Sequence, residues 1–309
     1  MTEGIGVAIA AYRAGTVLGA CLGTIAGQTS PAAQVVVVDD GSGDDTSDVA
    51  RRWASILPLQ VVVLKSNSGV ATALHRAVEA TDTELVALIG ADDMWLPDHL
   101  ETLSRVHRER GGIAMADAYR WEEGKGIRPR TFSSYHPVPN PSEQPAAILR
   151  ENFVFVGSVF ERTAYDRVGG FRAEHTGAED WDLWIRMIRA GERVHSADRP
   201  TAIYRLSPGG MTRDERIRAA YLRMLEEARA DAATDAERSA ASDTIRWLRA
   251  RSHLGLAHAA ARRGDNAEAR REARLARGGG PKVTLEAAAL RVAPNLGLRL
   301  GERLRARYW

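Results

Sequence analysis

Four short apolar runs, separated by stretches of helical periodicity, limit the folds open to this chain more than any other feature. The runs cover residues 5–11, 34–38, 60–64 and 85–89, and the helical patterns cover residues 16–27, 45–56 and about 70–80. Strands that alternate with helices at this spacing form a largely parallel sheet with helices on both faces. The sequence therefore predicts an α/β fold, in which ligands bind beyond the carboxyl ends of the strands.

Two of these runs end in adjacent carboxylates. Asp39 and Asp40 follow the second run, and Asp92 and Asp93 follow the fourth. Neighbouring anions repel and are costly to desolvate, so two acidic pairs at one rim of a sheet indicate a cleft that holds a cation. Mg²⁺ takes oxygen ligands and often bridges one or two carboxylates to substrate phosphates. A solvated acidic turn is the alternative, since Asp is common in loops and at helix caps.

The composition changes near residue 212. Beyond Met211-Thr212, Ala and Arg dominate, β-branched runs vanish and the pattern stays helical. Because 309 residues are enough for two domains, we predict a sheet-containing domain over residues 1–212 and an Arg/Ala-rich all-α region over residues 213–309. The first part carries 21 Lys and Arg against 27 Asp and Glu, and the second carries 21 against 13, so their net charges are −6 and +8.

The helical region allows several interpretations. Small residues from Gly264 to Pro281 are spaced as in one tetratricopeptide helix pair, but at least three repeats normally make a stable array, so an ordinary helical hairpin is preferred. The last stretch mixes Leu and Val with Arg and ends in Tyr308-Trp309, which suits an interfacial helix at a membrane. Packing or homodimerisation through these helices is an equal alternative. We expect no nucleic-acid partner.

Cys21 is the single cysteine, which excludes an internal disulfide framework and is typical of a reducing compartment. No run approaches the roughly 18–20 consecutive apolar residues of a membrane span. No basic leader precedes the first apolar segment. We therefore expect a cytoplasmic location, with peripheral contact at the inner membrane face as an extension of it.

Seven motifs in order carry a resemblance to a known family. They are VAIAAYRA (7–14), AGQTSPAAQVVVVDDGSGDDT (26–46), NSGVATALHRAV (67–78), LIGADDMWLPDHL (88–100), VGGF (168–171), AEDWDLWIRM (178–187) and IYRLSPGGMT (203–212). From about residue 5 to residue 212 the chain resembles the inverting glycosyltransferases of family 2, which have the GT-A fold. The resemblance implies a Rossmann-like, mixed but mainly parallel sheet that binds a nucleotide-sugar, followed here by the all-α region.

The resemblance also implies a reaction. Such enzymes move a sugar from a UDP-, GDP- or dTDP-sugar to an acceptor hydroxyl, on a glycan, a lipid-linked molecule or a small molecule, with inversion at the anomeric carbon. Donor nucleotide binding would fall to residues along the predicted rim, namely Ala10, Tyr12, Asp39, Asp40, Asn67, Gly69 and Asp92. Tyr12 would stack on the base, a contact worth about 1–3 kcal/mol. Asp40 would accept from a base N–H, and Asp39 would either share that role or fix the turn.

The implied cofactor is Mg²⁺ or Mn²⁺, held by Asp92 and Asp93. The chain departs from the family pattern at two points. The family often shows Asp-x-Asp-Asp, but position 90 is Gly90. The family often carries a histidine shortly after the Tyr-Arg pair, whereas Leu206 and Ser207 stand here. Metal binding is therefore expected to be weaker or differently arranged.

Asp180 is the expected catalytic base, and Glu179 is expected to orient the acceptor. A positioned carboxylate that takes the acceptor proton contributes about 10²–10⁴-fold to the rate, and the N-terminus of the following apolar helix favours an anion. Taken alone, these acids would be read as ordinary helix-start residues. Trp181 and Trp184 are candidates for acceptor binding, although at least one of them is expected in the core.

Other functions fit less well. A nucleotidyltransferase would carry a Gly-rich phosphate loop after the first strand, but AAYRAGT has no glycine cluster. A dehydrogenase would show G-x-G-x-x-G after a strand, which is absent from this sequence. A catalytically degenerate transferase that serves as a scaffold or nucleotide-binding subunit stays open. The sugar, the base and the acceptor are read by loops such as 120–150, where the sequence sets no constraint.

Overall fold

The computed structural model describes residues 1–206, 215–294 and 297–301. Contacts divide the chain into two compact units, residues 1–213 and 214–309. The division falls among residues outside the described ranges, as do Met211, Thr212, Ser207 and the Tyr308-Trp309 end. The domain limits at residues 212 and 213 therefore stay a prediction. Within the described ranges, no helix combines the length and apolarity that a membrane crossing requires.

In the described part of the first unit, nine strands form one mixed sheet. The strands are β1 Thr2–Ala11, β2 Gln34–Asp39, β3 Leu59–Val63, β4 Thr83–Leu88, β5 Met94–Trp95, β6 Ile113–Glu122, β7 Gly126–Ile127, β8 Val159–Glu161 and β9 Val194–Leu206. Their order is β3-β2-β1-β4-β8-β6-β9-β5, with β7 paired to β6.

Helices connect the strands and then continue alone in the second unit. Those of the first unit are α1 Leu18–Ala26, α2 Thr46–Arg51, α3 Val70–Glu79, α4 His99–Arg110, α5 Gln144–Ala147, α6 Arg162–Arg167 and α7 Glu179–Arg189, with a short 3₁₀ helix at Ala173–His175. Those of the second unit are α8 Glu215–Ala230, α9 Asp235–Arg262, α10 Asn266–Leu275 and α11 Gly280–Val292. The predicted mixed α/β fold with a helical C-terminal region is confirmed.

The four predicted strands are β1 to β4, and they pair in parallel. Val35 to Val38 have no exposed surface, as expected for a strand covered on both faces. Ala11 lies beside Asp39 in the pairing of β1 with β2, and Ala8 lies beside Leu88 in the pairing of β1 with β4. Because parallel neighbours run in the same direction, the residues that follow these strands lie at one edge of the sheet.

Two elements differ from the sequence prediction. Helix α2 ends at Arg51 rather than near residue 56, because residues 52–56 continue as turns ahead of Pro58, and a proline disfavours helix in the residue before it. The apolar sequence of residues 153–160 also predicts a strand, but the strand is confined to Val159–Glu161. The preceding apolar segment is buried, but it turns at Gly157, where the Ser158 N–H donates to the carbonyl of Val156.

The second unit packs small side chains closely. Helices α9 and α10 meet across a turn at Gly264, whose φ of +80° is costly for any residue with a Cβ. Thr234 and Asp265 cap these helices by accepting from the N–H groups of Glu237 and Glu268. The interior is mostly alanine, with Val283 and the leucines of α9 and α11, which explains why an Ala-rich sequence can form a packed helical unit.

Helix α7 is anchored by a buried ion pair network. Asp182 is 2% exposed and pairs with Arg172 and with Arg186, the latter at 2.6 Å. Burial acts to raise the pKa of Asp182, but the two guanidinium groups outweigh it and hold the pKa below its ordinary value. Arg186 also donates to the carbonyls of Val168 and Gly170. These contacts fix the first turns of α7.

Asp182→Asn should lower the free energy of unfolding at pH 7 by about 3 kcal/mol, because it removes the buried carboxylate that two partly buried guanidinium groups share. The pKa of Asp182 is lowered by folding, so its contribution is present above the ordinary aspartate pKa and is lost as pH falls through the folded value. Urea unfolding of both proteins at pH 7 and in acid measures this difference. Asp48→Asn is the matched control, since its pair with Arg51 is exposed and worth under about 1 kcal/mol. Equal losses of unfolding free energy in the two variants would contradict the anchoring role of Asp182.

Candidate active site

The ends of β1 to β4 bring the donor-side candidates to one rim. The Asp40 N–H donates to the Ala11 carbonyl at 2.8 Å, and the Leu64 N–H donates to the Asp39 carbonyl at 2.8 Å. Ala10 lies one residue before the end of β1 and pairs with Val38. Tyr12 follows directly and is 45% exposed. An exposed aromatic ring at the carboxyl end of a parallel strand is free to stack on a flat ligand.

Asp39 fixes a turn rather than facing the rim. Its Oδ1 accepts from the N–H of Ser42 at 3.0 Å and from the Ser42 hydroxyl. The Ser42 Oγ in turn accepts from the N–H of Arg13 at 2.9 Å. Arg13 has a φ of +51° and places its guanidinium 5.2 Å from the centre of the Tyr12 ring. Of the two roles open to Asp39, the geometry favours the structural one.

Asp40 holds the loop that contains Asn67 and Gly69. Its two carboxylate oxygens accept from the N–H groups of Ser68 at 2.7 Å and Gly69 at 2.9 Å. Gly69 has a φ of +91°, and a Cβ there would lie 2.8 Å from the Thr176 hydroxyl. The loop is therefore held between the end of β2 and the segment that leads into α7. Each carboxylate oxygen has a second lone pair, so Asp40 keeps capacity to accept from a ligand.

Asp92 and Asp93 follow β4 and form the acidic centre of the rim. Asp93 is 3% exposed, and its Oδ1 accepts from the backbone N–H of Arg205 at 2.9 Å. Burial raises the pKa of Asp93 well above its ordinary value, and the negative charge of Asp92 adds to the effect. A buried carboxyl of this kind becomes a stable anion only when a cation compensates it.

Gly90 leaves space beside this pair. A Cβ at position 90 would lie 2.9 Å from Asp93 Oδ2 and 3.3 Å from Asp92 Oδ1. The thiol of Cys21 donates to the Gly90 carbonyl, and burial, together with Asp93 and Asp92, raises its pKa. Within the described ranges, no group of three or more His, Cys, Asp or Glu side chains is placed to hold a metal ion. Two carboxylates suit a hard divalent cation that takes its remaining ligands from phosphate and water.

Tyr204 shows that the acids of two distant segments converge. Burial raises the pKa of the Tyr204 phenol to about 12, and the negative charges of Asp93, Asp180 and Asp92 contribute to the shift. Charges influence a pKa strongly only at short range. The charges of the acidic pair after β4 and of the acid at the start of α7 therefore act on a common phenol.

Asp180 and Glu179 form the first turn of α7. The Asn152 amide donates to Asp180 Oδ2 at 3.1 Å, and the Trp181 N–H donates to Asp180 Oδ1 at 2.7 Å. Burial nevertheless raises the pKa of Asp180. Burial, and then the charge of Asp180, raise the pKa of Glu179 to about 7. Glu179 is therefore partly protonated near neutral pH.

The two tryptophans of α7 serve the core. Trp184 is fully buried and packs edge-on against Phe160, with 5.7 Å between ring centres. This corrects the prediction that Trp184 binds the acceptor, because the ring has no surface to offer. Trp181 is 7% exposed, and its indole N–H donates to the Ile148 carbonyl at 2.6 Å. Its exposed edge is small, so acceptor binding by Trp181 stays a prediction with little geometric support.

Sequence reasoning missed two polar groups of the site. Asn152 donates a hydrogen bond to Asp180, and the charges of Asp92, Asp93 and Asp180 act on Tyr204. The Tyr-Arg pair was noted in the sequence only as a motif, and Asn152 had no pattern around it that could have identified it. Both come from segments that the parallel-strand pattern does not include.

Comparison with known proteins identifies the family. The family model described as Glycosyl transferase family 2 matches residues 6–168, more than half of the chain. The chain belongs to this family. Among its relatives, the amylovoran biosynthesis glycosyltransferase AmsE of Erwinia amylovora is 27% identical over 61% of this chain and 70% of that protein. The putative glycosyltransferase EpsH of Bacillus subtilis is 29% identical over 34% of this chain and 30% of its own length.

Solved structures of glycosyltransferases share the fold of this family 2 enzyme. S. aureus TarS 1–349 in complex with UDP-GlcNAc has a TM-score of 0.66 at 16% identity, with 99% of this chain and 93% of that chain covered. The mannosyltransferase PcManGT from Pyrobaculum calidifontis, in complex with GDP-Man and Mn²⁺, has a TM-score of 0.61 at 20% identity, with 99% and 87% covered. At these identities the likeness establishes the GT-A fold.

Glu179→Gln should flatten the pH dependence of stability. The folded pKa of about 7 lies above the ordinary value of 4.5, so the contribution of Glu179 is fully present below pH 4.5 and is lost as pH rises through 7. The loss amounts to at most about 3 kcal/mol. Urea unfolding at pH 5 and pH 8 should show a larger decrease for the wild type than for the variant. Parallel behaviour of the two proteins would count against the raised pKa.

Proposed function

We propose that this family 2 glycosyltransferase moves a sugar from a nucleoside-diphosphate donor to an acceptor hydroxyl with inversion, and that Asp180 is the general base. The observation that carries the proposal is the arrangement around Tyr204. Asp92 and Asp93, from the donor-side rim, and Asp180, from the start of α7, act on one phenol. An inverting transfer needs a base near the diphosphate site, because the base acts on the acceptor hydroxyl as it attacks the carbon from the side opposite the leaving diphosphate.

The rim supplies the donor site. The exposed ring of Tyr12 stacks on the base, and Asp40 accepts from a base N–H while it holds the Asn67–Gly69 loop in place. An acceptor-only carboxylate suits uracil, thymine or guanine, which fits UDP-, dTDP- or GDP-sugars as donors. The complexes of TarS with UDP-GlcNAc and of PcManGT with GDP-Man support a donor of this class.

Asp92 and Asp93 would hold Mg²⁺ or Mn²⁺. When bound, the ion neutralises the diphosphate and, as a Lewis acid, stabilises negative charge on the leaving oxygen. The residues themselves set the geometry, since the Arg205 N–H fixes the Asp93 carboxylate and Gly90 keeps the adjacent volume open. The Mn²⁺ in the PcManGT complex supports a divalent ion at the corresponding step.

Asp180 takes the acceptor proton. The hydroxyl oxygen attacks the anomeric carbon, its proton passes to a carboxylate oxygen of Asp180, and the bond from that carbon to the diphosphate oxygen breaks. Asn152 fixes the carboxylate by its 3.1 Å hydrogen bond. The raised pKa makes Asp180 a stronger base than an exposed aspartate. Glu179, whose pKa lies near 7, is placed to orient the acceptor.

The proposal also includes the location of the enzyme, the class of its acceptor and the role of its C-terminal helices. A cytoplasmic location and an acceptor on a glycan, a lipid-linked molecule or a small molecule fit the sequence. Peripheral membrane contact and homodimerisation are the two roles proposed for the C-terminal helices. Loss of liposome co-sedimentation on removal of residues 282–309 would support the first. Unchanged co-sedimentation would exclude it.

Asp180→Asn should lower kcat by about 10²–10⁴-fold, because it removes the proton acceptor. Its Tm should not fall, since the ionised form of a group with a raised pKa opposes folding. Initial rates over UDP-, GDP- and dTDP-sugars with an acceptor panel measure the effect. The control variant Asp48→Asn, which removes an exposed ion pair on α2, should keep full activity. A fully active Asp180→Asn would overturn the assignment of the base, and a wild type that binds nucleotides without turnover would favour the scaffold alternative.

Asp93→Asn should remove the metal-dependent part of donor binding. For the wild type, a nucleoside diphosphate at a hundredfold excess over Kd should add about 2.7 kcal/mol to the free energy of unfolding, with a larger Tm shift in Mn²⁺ than in EDTA. The variant should give the same small shift in both conditions, because one of two carboxylate ligands is lost. Thermal shift assays with UDP and GDP provide the comparison. A variant that retains the full Mn²⁺ increment would exclude Asp93 as a ligand.

A further inference from the structure

An aromatic ring flanked by two arginines lies in the segment that follows β6. Tyr135 is 47% exposed. The guanidinium of Arg120 lies 4.4 Å from the centre of its ring, and that of Arg130 lies 5.7 Å from the same centre. The two positive charges are therefore at most about 10 Å apart, within reach of mutual repulsion at physiological ionic strength. We call these three residues the Arg-Tyr-Arg platform.

Neither arginine of the platform forms an ion pair within the described residues, although the charge of Arg120 acts on Glu122. No carboxylate oxygen lies within 4.0 Å of Arg120 or Arg130 there, whereas neighbouring Arg128 pairs with Glu122. Residues 119–136 carry four Lys and Arg against two Asp and Glu, in a part of the chain whose net charge is −6. A local excess of positive charge in an acidic unit indicates a site that attracts an anion.

The platform adjoins Tyr204, the phenol on which the charge of the proposed base Asp180 acts. Arg120 lies beside Tyr204 in the pairing of β6 with β9. An aromatic chain connects the same regions, from Tyr204 to Phe155 at 6.0 Å and from Phe155 to Phe132 at 5.4 Å. The Phe132 N–H donates to the Ala118 carbonyl at 2.9 Å and fastens the segment to β6. Arg120 also acts electrostatically on Tyr204, against the three carboxylates.

We propose that Arg120, Tyr135 and Arg130 form an acceptor subsite for an anionic group, a phosphate or a carboxylate carried by a sugar or polyol next to the reacting hydroxyl. Planar guanidinium groups bind either anion through paired N–H donors. The exposed ring offers an apolar face to the carbon atoms of the same acceptor. This inference rests on the proposed function, because it places the anion beside the hydroxyl that Asp180 deprotonates.

Binding of charged and neutral probes to the full chain tests the subsite. The probes are glycerol 1-phosphate against glycerol, and methyl glucuronide against methyl glucoside, titrated by calorimetry in the presence of UDP and Mn²⁺. The wild type should bind at least one anionic probe roughly tenfold or more tightly than its neutral partner. The preferred pair identifies phosphate or carboxylate. Equal affinity for anionic and neutral probes in both pairs would overturn the proposal.

Variants of the platform test whether its two arginines cause the preference for the anionic probe. Arg120→Gln with Arg130→Gln should lose roughly tenfold or more in affinity for the anionic probe, and Arg120→Lys should lose less, because it keeps the charge without the flat donor pair. Arg105→Gln, an exposed arginine of α4 paired with Glu109, should bind as the wild type does. An equal loss in Arg105→Gln, or no loss in the double variant, would overturn the assignment.

Separate readouts distinguish this inference from the proposed function. The UDP- and GDP-induced Tm shifts test the donor site and do not involve the platform. A donor shift with no anion preference overturns the subsite alone. An anion preference without a donor shift or Asp180-dependent turnover supports an anion site and overturns the proposed function.

Discussion

Burial of carboxyl groups, with repulsion between neighbouring carboxylates as a smaller contribution, is the constraint on which the candidate site depends. Asp93 is nearly buried, Asp92 is its neighbour, and Asp180 and Glu179 lie at the start of α7. The described structure supplies hydrogen bonds to three of these groups: the Arg205 N–H for Asp93, Asn152 for Asp180 and the Gly177 N–H for Glu179. Such donors orient a carboxylate without neutralising it.

The contrast with Asp182 shows how the chain separates stability from function. Asp182 lies on the same helix and is buried, yet Arg172 and Arg186 lower its pKa, whereas the pKa values of Asp180 and Glu179 are raised. Asp182, which anchors the helix, is thus only two or three residues away from Asp180 and Glu179, whose ionisation is disfavoured. Raised pKa values tend to cluster at functional sites. Burial of such a group opposes its charged form, so the group does not serve the stability of the fold and is retained for its chemistry.

The sequence predicts the donor half of the sheet better than the acceptor half, and the reason is physical. β1, β2 and β4 are largely buried, and with the edge strand β3 they read as continuous apolar runs. Their parallel register brings Tyr12, Asp40 and Asp93 to one edge. By contrast, β6 and β9 contain charged residues and are interrupted. Their register shifts around Asp117, opposite Pro200, and a proline cannot donate to the ladder. The family resemblance located Asp180, but periodicity could not tell that Trp184 points into the core, nor that Asn152 and Tyr204 face the acids.

The hydrogen bond from the Arg205 N–H to Asp93 joins residues 112 positions apart. It makes the acidic pair at the end of the fourth strand depend on the last residues of the ninth. A growing polypeptide can therefore not form this hydrogen bond, which fixes a proposed metal ligand, while residue 205 is still inside the ribosome.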